Sequence, residues 1–325
     1  MTRESLANIA AEFKSMKALI IGGNGFIGSN LAEALISAGH KVTSFDRYPG
    51  RYREADPRIN YVYGDFANHG DVLEAVKGND WVYHLAYTTL PASSNDDPTF
   101  DVRSNVIDTL QLLEACREFN VKKIVFISSG GTVYGVPQSL PIQEDHPTDP
   151  ICSYGITKLA IEKYLNLYRH LHNLDYVVAR LANPYGELQN PQAKQGAIAV
   201  FLGNVIQGKA IDIWGDGQVV RDYIYIGDAA KALVRAAEYC PEEDEPRVFN
   251  IGSGQGTSLN EIVKTLKEVI NSDINVMYHP ARSADVPSNV LDISRAKKCL
   301  GWEPEIKLGD GIKKTWDWLS QVSKN

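Results

Sequence analysis

A glycine-rich turn near the start of the chain constrains the fold more than any other feature of the sequence. Residues 17–21 (KALII) form a short apolar run, as in a buried parallel strand, and residues 26–38 follow with helical periodicity. Between them, Gly22, Gly25 and Gly28 stand at a G-x-x-G-x-x-G spacing. Glycines at this spacing permit a tight turn and let the backbone approach a ligand closely. The segment therefore predicts the first strand–turn–helix unit of a doubly wound domain.

Strand and helix patterns alternate along the first half of the chain. Further strands are predicted at residues 41–45, 59–63, 81–85, 123–127 and 176–180, and helices at residues 71–76, 102–119 and 153–172. This alternation is typical of a parallel sheet with helices on both faces. We therefore predict an α/β fold, with a Rossmann-type doubly wound parallel sheet and a smaller mixed α/β lobe.

The glycine turn and an acidic residue downstream predict NAD as the ligand. The N–H groups of the turn, which includes Phe26 and Ile27, and the dipole of the following helix attract a pyrophosphate. Asp46 ends the second predicted strand, 18 residues after Gly28. A carboxylate there accepts hydrogen bonds from the adenosine ribose and repels a 2′-phosphate, which favours NAD over NADP. The adjacent Arg47 weakens this preference.

The chain divides into three predicted regions. Residues 1–16 combine charges with apolar side chains at helical spacing, which indicates a short N-terminal helix and not a secretory signal. Residues 17–181 carry the alternating pattern and predict the NAD-binding Rossmann domain. Residues 182–325 are punctuated by glycine and proline and predict the substrate-binding lobe. Within it, residues 248–251 (VFNI) predict a strand that returns to the main sheet, so the two regions are expected to interleave.

Composition narrows the classes of function. The chain is 44% hydrophobic and 22% charged, with a net charge of −7 and a pI near 5.6. No basic stripe is evident, so a nucleic-acid ligand is not expected. No apolar run approaches the length of a membrane span, so we expect no membrane association and a cytoplasmic protein. The four cysteines lie far apart, and no metal site is expected.

Tyr154 and Lys158 are the predicted catalytic pair. They lie four residues apart at the start of a predicted helix and therefore share one helical face. A free tyrosine titrates at about pH 10, so a base near neutrality needs a pKa lowered by roughly three units, or about 4 kcal/mol. A lysine ammonium and a nicotinamide cation both favour the phenolate. The Ser-Ser-Gly-Gly-Thr loop at residues 128–132, one element earlier, supports a functional pair.

These motifs together resemble the extended short-chain dehydrogenase/reductase superfamily, specifically its nucleotide-sugar epimerases of the UDP-glucose (UDP-galactose) 4-epimerase kind. The resemblance runs from about Lys17 to Pro304. It also rests on Gly64-Asp65, His84-Leu85-Ala86, Thr132-Val133-Tyr134-Gly135, Asn183-Pro184-Tyr185-Gly186, Arg221-Asp222-Tyr223-Ile224 and Arg282 with Asp285. In such enzymes a tyrosine removes the 4-hydroxyl proton while hydride passes from C4 to bound NAD. The keto-sugar then rotates and takes the hydride back on its other face.

The resemblance implies roles for individual residues. Asp65 and Phe66 would contact adenine, and Ala86 and Asn105 would line the cofactor channel. The full set of expected cofactor contacts is Gly22, Gly25, Phe26, Ile27, Gly28, Asp46, Arg47, Asp65, Phe66, Leu85, Ala86, Asn105, Ser128, Tyr154 and Lys158. For a UDP-sugar substrate, Arg221 and Arg282 would grip the diphosphate, and Asn183 and Asp285 would hold the nucleotide. The helices at residues 102–119 and 153–172 imply a homodimer.

One position departs from the family pattern. The family places a serine or threonine three residues before Val133-Tyr134-Gly135, where it hydrogen-bonds the reacting hydroxyl, whereas this chain has Gly130. Thr132 has the same strand parity and is one candidate to replace it. Ser129 is the second candidate, and the choice between them stays open.

Asn289 is the predicted determinant of sugar choice. In the resembling epimerases, the residue four after the aspartate of the Arg-x-x-Asp motif bounds the pocket for the 2-substituent of the sugar. Counting from Asp285, this residue is Asn289, which is smaller than tyrosine and can hydrogen-bond an amide. We therefore expect UDP-N-acetylhexosamines to be accepted beside UDP-glucose and UDP-galactose. Uronates are not expected, because the Leu188 region lacks an arginine. The alternative is that Asn289 merely caps a turn.

Other functions remain as alternatives. Dehydratases of the superfamily carry Asp-Glu after the catalytic threonine, and the related decarboxylases keep a glutamate nearby. This chain has Gly131-Thr132 instead, so no acid is positioned for elimination. A reductase that does not return the hydride and a non-catalytic NAD-binding regulator are further alternatives. The intact Tyr154 and Lys158 argue against the regulator.

Overall fold

The computed structural model describes residues 15–193, 195–281 and 286–323. The helix predicted over residues 1–16 therefore lies outside the described residues, apart from Ser15 and Met16. The strands are β1 (Lys17–Ile21), β2 (Lys41–Asp46), β3 (Ile59–Tyr63), β4 (Trp81–His84), β5 (Lys123–Ser129), β6 (Asp175–Leu181), β7 (Asn183–Tyr185), β8 (Ile211–Trp214), β9 (Val220–Tyr225), β10 (Val248–Ile251), β11 (Gly256–Ser258), β12 (Val276–His279) and β13 (Ser288–Asn289).

The α-helices alternate with these strands. They are α1 (Phe26–Ser37), α2 (His69–Val76), α3 (Pro98–Asp101), α4 (Asp108–Glu118), α5 (Ser153–His172), α6 (Ala197–Ile206), α7 (Ile226–Glu238), α8 (Leu259–Ile270), α9 (Ser294–Leu300) and α10 (Leu308–Val322). A π-helical segment, Val102–Ile107, joins α3 to α4.

Seven strands form one parallel sheet in the order β10-β6-β5-β4-β1-β2-β3. Every neighbouring pair in it runs parallel. Side chains of β1 alternate between two buried layers, with Ala18 and Ile20 on one face and Leu19 and Ile21 on the other. Both faces are covered by helices, which explains why the strand is a continuous apolar run. The predicted doubly wound α/β fold is confirmed.

The helix predicted over residues 102–119 differs in the structure. It begins earlier, at Pro98, where the side chain of Asp97 accepts a hydrogen bond from the Phe100 N–H at 2.9 Å. An aspartate followed by proline is a common helix start. The prediction used only the spacing of apolar residues and therefore placed the helix start too late. The π-helical turns inside the segment are held by side chains. The Ser104 hydroxyl forms a hydrogen bond with the Thr88 hydroxyl at 2.6 Å. The Asn105 side-chain oxygen accepts a hydrogen bond from the Thr88 N–H at 3.0 Å.

The second half of the chain contributes to both parts of the molecule. Strand β10 pairs with β6 at the edge of the main sheet, and α7 packs against α1. The smaller part contains β9 with β7, β11 and β13 beside it, and the separate pair β8–β12. Helices α6, α8 and α10 surround a second core in this part. The crevice between this smaller part and the carboxyl ends of the main strands is where ligands bind in such sheets.

Candidate active site

A cavity of about 800 Å³ opens at the carboxyl edge of the main sheet. It brings together residues that the sequence predicted for cofactor binding, for catalysis and for substrate binding. Those that line it are Phe26, Ile27, Ser128, Ser129, Thr132, Tyr154, Asn183, Arg221 and Asn289. Side chains from the glycine turn, the end of β5, the start of α5 and the smaller part of the molecule therefore face one space.

The glycine turn fits the pyrophosphate of a dinucleotide. Gly22 has a φ of +82°, which favours glycine, and a Cβ at Gly28 would lie 2.4 Å from the Gly22 carbonyl oxygen. Helix α1 thus approaches the turn more closely than any side chain would permit. Gly25 is the N-cap of α1, and no side chain of the described residues caps this end. The first N–H groups of α1 and its dipole favour an anion there.

One acidic residue ends β2 and another follows β3 at the same edge. The Asp46 carboxylate accepts hydrogen bonds from the N–H groups of Asn24 at 3.1 Å and Arg47 at 2.8 Å, which fixes it beside the glycine turn. The Arg47 guanidinium is paired with Asp65 at 2.6 Å. Burial acts to raise the pKa of Asp65, but the Ala67 N–H and Arg47 hold it below its ordinary value. Because Arg47 is paired, it attracts a 2′-phosphate less than an unpaired guanidinium would.

The segment after β4 approaches the turn from the other side. A Cβ at Gly22 would lie 3.0 Å from the Ala86 nitrogen, and the Leu85 N–H donates to the Ile21 carbonyl at 3.0 Å. Phe66 is buried, with its ring centroid 5.1 Å from that of His84. Asn105 is also buried, and its amide is bound by protein groups. Contacts of these residues with a cofactor stay predictions.

Helix α5 carries Tyr154 and Lys158 on one face, as predicted. The Lys158 ammonium donates a hydrogen bond to the Ile127 carbonyl at 2.6 Å and lies 5.6 Å from the Tyr154 ring centroid. It also lies 3.8 Å from the ring centroid of Tyr87, close enough for a cation–π interaction. Tyr154 lines the cavity, and Lys158 is buried behind it.

Burial shifts both of the predicted catalytic groups toward their neutral forms. Desolvation lowers the pKa of Lys158 to about 7, against the opposing effects of Glu162 and Asp101. Desolvation also raises the pKa of Tyr154, and the neighbouring Cys152 and Asp101 raise it further. The sequence led us to expect a lowered pKa for Tyr154. That lowering depends on the Lys158 ammonium, which lies 5.6 Å from the Tyr154 ring centroid, and on a nicotinamide cation, so it stays a prediction.

The structure explains the glycine at position 130. A Cβ there would lie 2.5 Å from the Leu291 Cδ1 atom and 3.1 Å from the Arg180 carbonyl oxygen, so a serine does not fit without movement. The Thr132 hydroxyl is buried and has no hydrogen-bond partner among the described residues. Ser129 lines the same cavity, whereas the Ser128 hydroxyl donates to Glu162 at 2.5 Å.

Three of the predicted substrate residues, Asn183, Arg221 and Asn289, line the same cavity. The Asn183 amide donates to the Asp222 carbonyl at 2.9 Å, and the Arg221 guanidinium donates to the Val286 carbonyl at 2.7 Å. Asn289 is almost fully buried and donates to the Gly130 carbonyl at 3.1 Å. It lies in β13, paired with β9, so the alternative that it caps a turn is wrong. Arg282 and Asp285 lie outside the described residues.

Several lining residues were not predicted from the sequence. Asn95, Cys152 and Gln189 face the cavity, and the Gln189 Oε1 atom is buried without a partner in the described structure. Leu291, two residues after β13, contacts the backbone at Gly130. None of these residues belongs to a spacing pattern. The Asp97-Pro98 pair, which is typical of a helix start, is the one local sequence signal close to Asn95.

Neither a metal cluster nor a membrane-spanning helix is found in the described part of the chain. Across residues 15–193, 195–281 and 286–323, no three or more His, Cys, Asp and Glu side chains are grouped to hold a metal ion. Over the same ranges, no helix has both the length and the apolar composition needed to cross a bilayer.

Comparison with known proteins connects this geometry to a family. The model of the NAD dependent epimerase/dehydratase family matches residues 18–252. A protein of Methanocaldococcus jannaschii described as a putative UDP-glucose 4-epimerase is 36% identical over 309 residues, which cover 94% of this chain and 99% of that one. The match therefore includes both the sheet and the smaller part of the molecule.

Two solved structures share the fold over nearly their whole length. The UDP-glucose 4-epimerase of Thermotoga maritima with UDP-glucose has a TM-score of 0.89 and 35% identity, covering 95% of this chain and 100% of that one. The UDP-glucose 4-epimerase of Thermus thermophilus with NAD has a TM-score of 0.84 and 31% identity, covering 94% and 99%. The resemblance inferred from the sequence motifs is confirmed. The chain belongs to the NAD-dependent epimerase/dehydratase family.

Proposed function

We propose that this NAD-dependent epimerase inverts C4 of a UDP-sugar, namely UDP-glucose and UDP-galactose, and that it also accepts the N-acetylhexosamine forms. The observation that carries the proposal is the shared cavity. Tyr154 and Thr132, whose hydroxyl is unpartnered among the described residues, line it together with Asn183 and Arg221. A UDP-sugar bound through its diphosphate at Arg221 would present its sugar hydroxyls to Tyr154 and Thr132.

In this proposal Tyr154 takes and returns the proton of the 4-hydroxyl. NAD, held by the glycine turn and Asp46, supplies the hydride acceptor when it is bound. Burial raises the pKa of Tyr154, so a phenolate needs positive charge nearby. Lys158 supplies part of it when protonated, and its pKa of about 7 leaves it partly charged near neutrality. The nicotinamide cation is the second positive charge.

The cavity also bears on the alternative reactions. Among its described lining residues there is no aspartate or glutamate. Elimination of water needs a carboxyl group or another acid near the sugar. This supports epimerisation over a dehydratase. A reductase is distinguished by its products, since it would consume reduced cofactor, whereas an epimerase leaves the redox state of NAD unchanged overall.

The experiment that tests the proposal compares the wild-type protein with Tyr154→Phe on a panel of UDP-sugars, and the C4 epimers formed are measured. We expect UDP-galactose and UDP-glucose to interconvert, and Tyr154→Phe to lower kcat by at least about a hundredfold with little change in substrate binding. Near-normal turnover of this variant would remove Tyr154 from the mechanism. Formation of a keto-deoxy product instead of an epimer would replace the proposed reaction with dehydration.

The assembly and location of the protein are also proposals. Exposed apolar side chains, including Ile107 just before α4 and Leu167 and Leu171 in α5, support a homodimer through α4 and α5. We infer a cytoplasmic protein because its cysteines, Cys116, Cys152, Cys240 and Cys299, are free thiols in the structure.

A further inference from the structure

Asp101, the last residue of α3, is fully buried and forms no ion pair among the described residues. A buried carboxylate is costly unless hydrogen bonds replace its water. Its Oδ1 accepts from the Thr89 hydroxyl and from the Asn105 amide, the latter at 2.9 Å. Its Oδ2 accepts from the hydroxyls of Ser153 at 2.6 Å and Thr157 at 3.1 Å. Four donors therefore fill the lone-pair positions of this carboxylate.

The two oxygens of Asp101 face different elements. Oδ1 accepts from Thr89, in the segment after β4, and from Asn105, in the π-helical segment. Oδ2 is bound to the first turn of α5. Its two donors, Ser153 and Thr157, stand immediately before Tyr154 and Lys158 in the sequence. The carboxylate thus connects the backbone that carries both catalytic side chains to the rest of the domain.

The start of α5 is held by residues outside the helix. Its N-cap residue, Cys152, makes no side-chain capping bond. Instead the Asn95 side chain accepts from the Ser153 N–H at 2.9 Å, and the Ser94 hydroxyl accepts from the Tyr154 N–H at 3.0 Å. These bonds satisfy N–H groups that a helix start leaves unpaired. Residues 94–101 therefore set where Tyr154 stands relative to the cavity.

We propose that Asp101 is a positioning residue for the epimerisation, because its carboxylate fixes the first turn of α5 and thereby the phenol of Tyr154. The proposal rests on the assignment of Tyr154 as acid and base in the proposed function. Asp101 acts through Ser153 and Thr157 and does not itself line the cavity. Misplacement of a reacting group by about 1 Å can cost on the order of a hundredfold in rate. Asn183 and Arg221, which would bind the nucleotide end, lie on other elements.

The test compares Asp101→Asn with the wild-type protein in kcat and KM for UDP-galactose, in bound NAD, and in the absorbance of dihydronicotinamide formed when sugar is added. The substitution keeps the volume but removes one acceptor oxygen. We expect kcat to fall roughly 10- to 100-fold and the dihydronicotinamide signal to appear correspondingly more slowly. KM should stay within about threefold and bound NAD should be unchanged. A kcat within about twofold of the wild-type value overturns the proposal.

Asp228→Asn is the matched control for a loss of stability. Asp228 is almost fully buried, and its carboxylate accepts from the N–H groups of Glu305 and Ile306 at 2.9 and 2.8 Å, away from α5. We expect this variant to unfold at a lower temperature while keeping the wild-type kcat. An equal loss of kcat in both variants overturns the proposal, because the effect of Asp101 would then be one of stability alone.

A second pair of variants keeps the carboxylate, in case Asp101→Asn does not fold. Ser153→Ala removes the 2.6 Å bond to Asp101, and Ser153→Thr retains a hydroxyl. The alanine variant should lose kcat and the threonine variant should recover it; equal values in the two overturn the proposal. Failure of the proposed function has a different signature, since Tyr154→Phe would then remain active whatever the Asp101 variants do.

Discussion

At the scale of single residues, the structure shows different surroundings for Thr132 and Ser129, the two candidates proposed to bind the reacting hydroxyl of the sugar. Leu291 packs where a side chain at position 130 would lie, so a larger residue there requires the Leu291 side chain to move. Two hydroxyls, those of Thr132 and Ser129, remain at the same end of the cavity. The Thr132 hydroxyl is the one that is buried without a partner in the described residues. A buried hydroxyl without a partner is costly, so we expect a bound sugar that reaches it to supply the missing hydrogen bond.

We therefore expect Thr132→Val to lower kcat more than Ser129→Ala does. Valine keeps the shape of threonine and removes only the hydroxyl, so the comparison isolates the hydrogen bond. Both variants are measured with UDP-galactose under the same conditions. The reverse order would assign the role to Ser129, and equal, mild effects would mean that neither hydroxyl is needed.

A second prediction at this scale concerns sugar choice. The Asn289 Oδ1 atom is buried without a described partner, and the residue lines the cavity beside Gly130. A tyrosine there would fill space and remove an acceptor. We expect Asn289→Tyr to suppress activity on UDP-N-acetylhexosamines and to spare UDP-galactose, measured as kcat/KM for each sugar. If both activities fall together, or if neither changes, Asn289 does not bound the 2-substituent pocket.

At the scale of elements, α5 packs into the core and carries the proposed acid–base residue Tyr154. It packs Ile161 and Leu165 into one layer of the core while presenting Tyr154 to the cavity. Lys158 lies between these groups, buried against β5. A lysine in this position costs stability whenever the unfolded chain is protonated and the folded site is not.

The pH dependence of stability follows from the pKa of Lys158, which falls from 10.5 to about 7 on folding. Between these values the unfolded state binds more protons, so this group makes the fold more stable as pH rises, by at most about 1.4 kcal/mol per unit. We expect Lys158→Met to be more stable than the wild-type protein near pH 7. The difference should shrink toward pH 10.5, the unshifted pKa, as measured by denaturant unfolding at several pH values. A stability difference between the two proteins that does not depend on pH would contradict a lowered pKa of Lys158.

At the scale of the whole molecule, the surface formed by α4 and α5 is the proposed dimer contact. Leu167 and Leu171 are among its exposed apolar side chains. We expect the wild-type protein to have twice the chain mass of 35.9 kDa by light scattering after size-exclusion chromatography. Leu167→Glu with Leu171→Glu should give a folded monomer, because buried charges oppose association. Met277→Glu, on exposed β12 away from this surface, is the control and should stay dimeric.

The sequence by itself determined the parts of the protein that depend on local chemistry. The spacing of Gly22, Gly25 and Gly28 indicates a phosphate-binding turn, and apolar strands buried on both faces indicate a parallel sheet. The spacing of Tyr154 and Lys158 placed both on one face of α5, because helical periodicity is a local property. The family and its cofactor followed from these motifs.

Only the tertiary structure decided what depends on contacts between distant segments. A side chain at position 130 would meet Leu291, which lies far along the chain. The pKa of Tyr154 is raised because folding removes its water and brings Asp101 near it. Asp101 itself follows no spacing pattern, and its four donors come from three separate segments. At residues 101, 130 and 154, burial and the neighbouring charges depend on packing between distant segments, so a local sequence pattern cannot predict them.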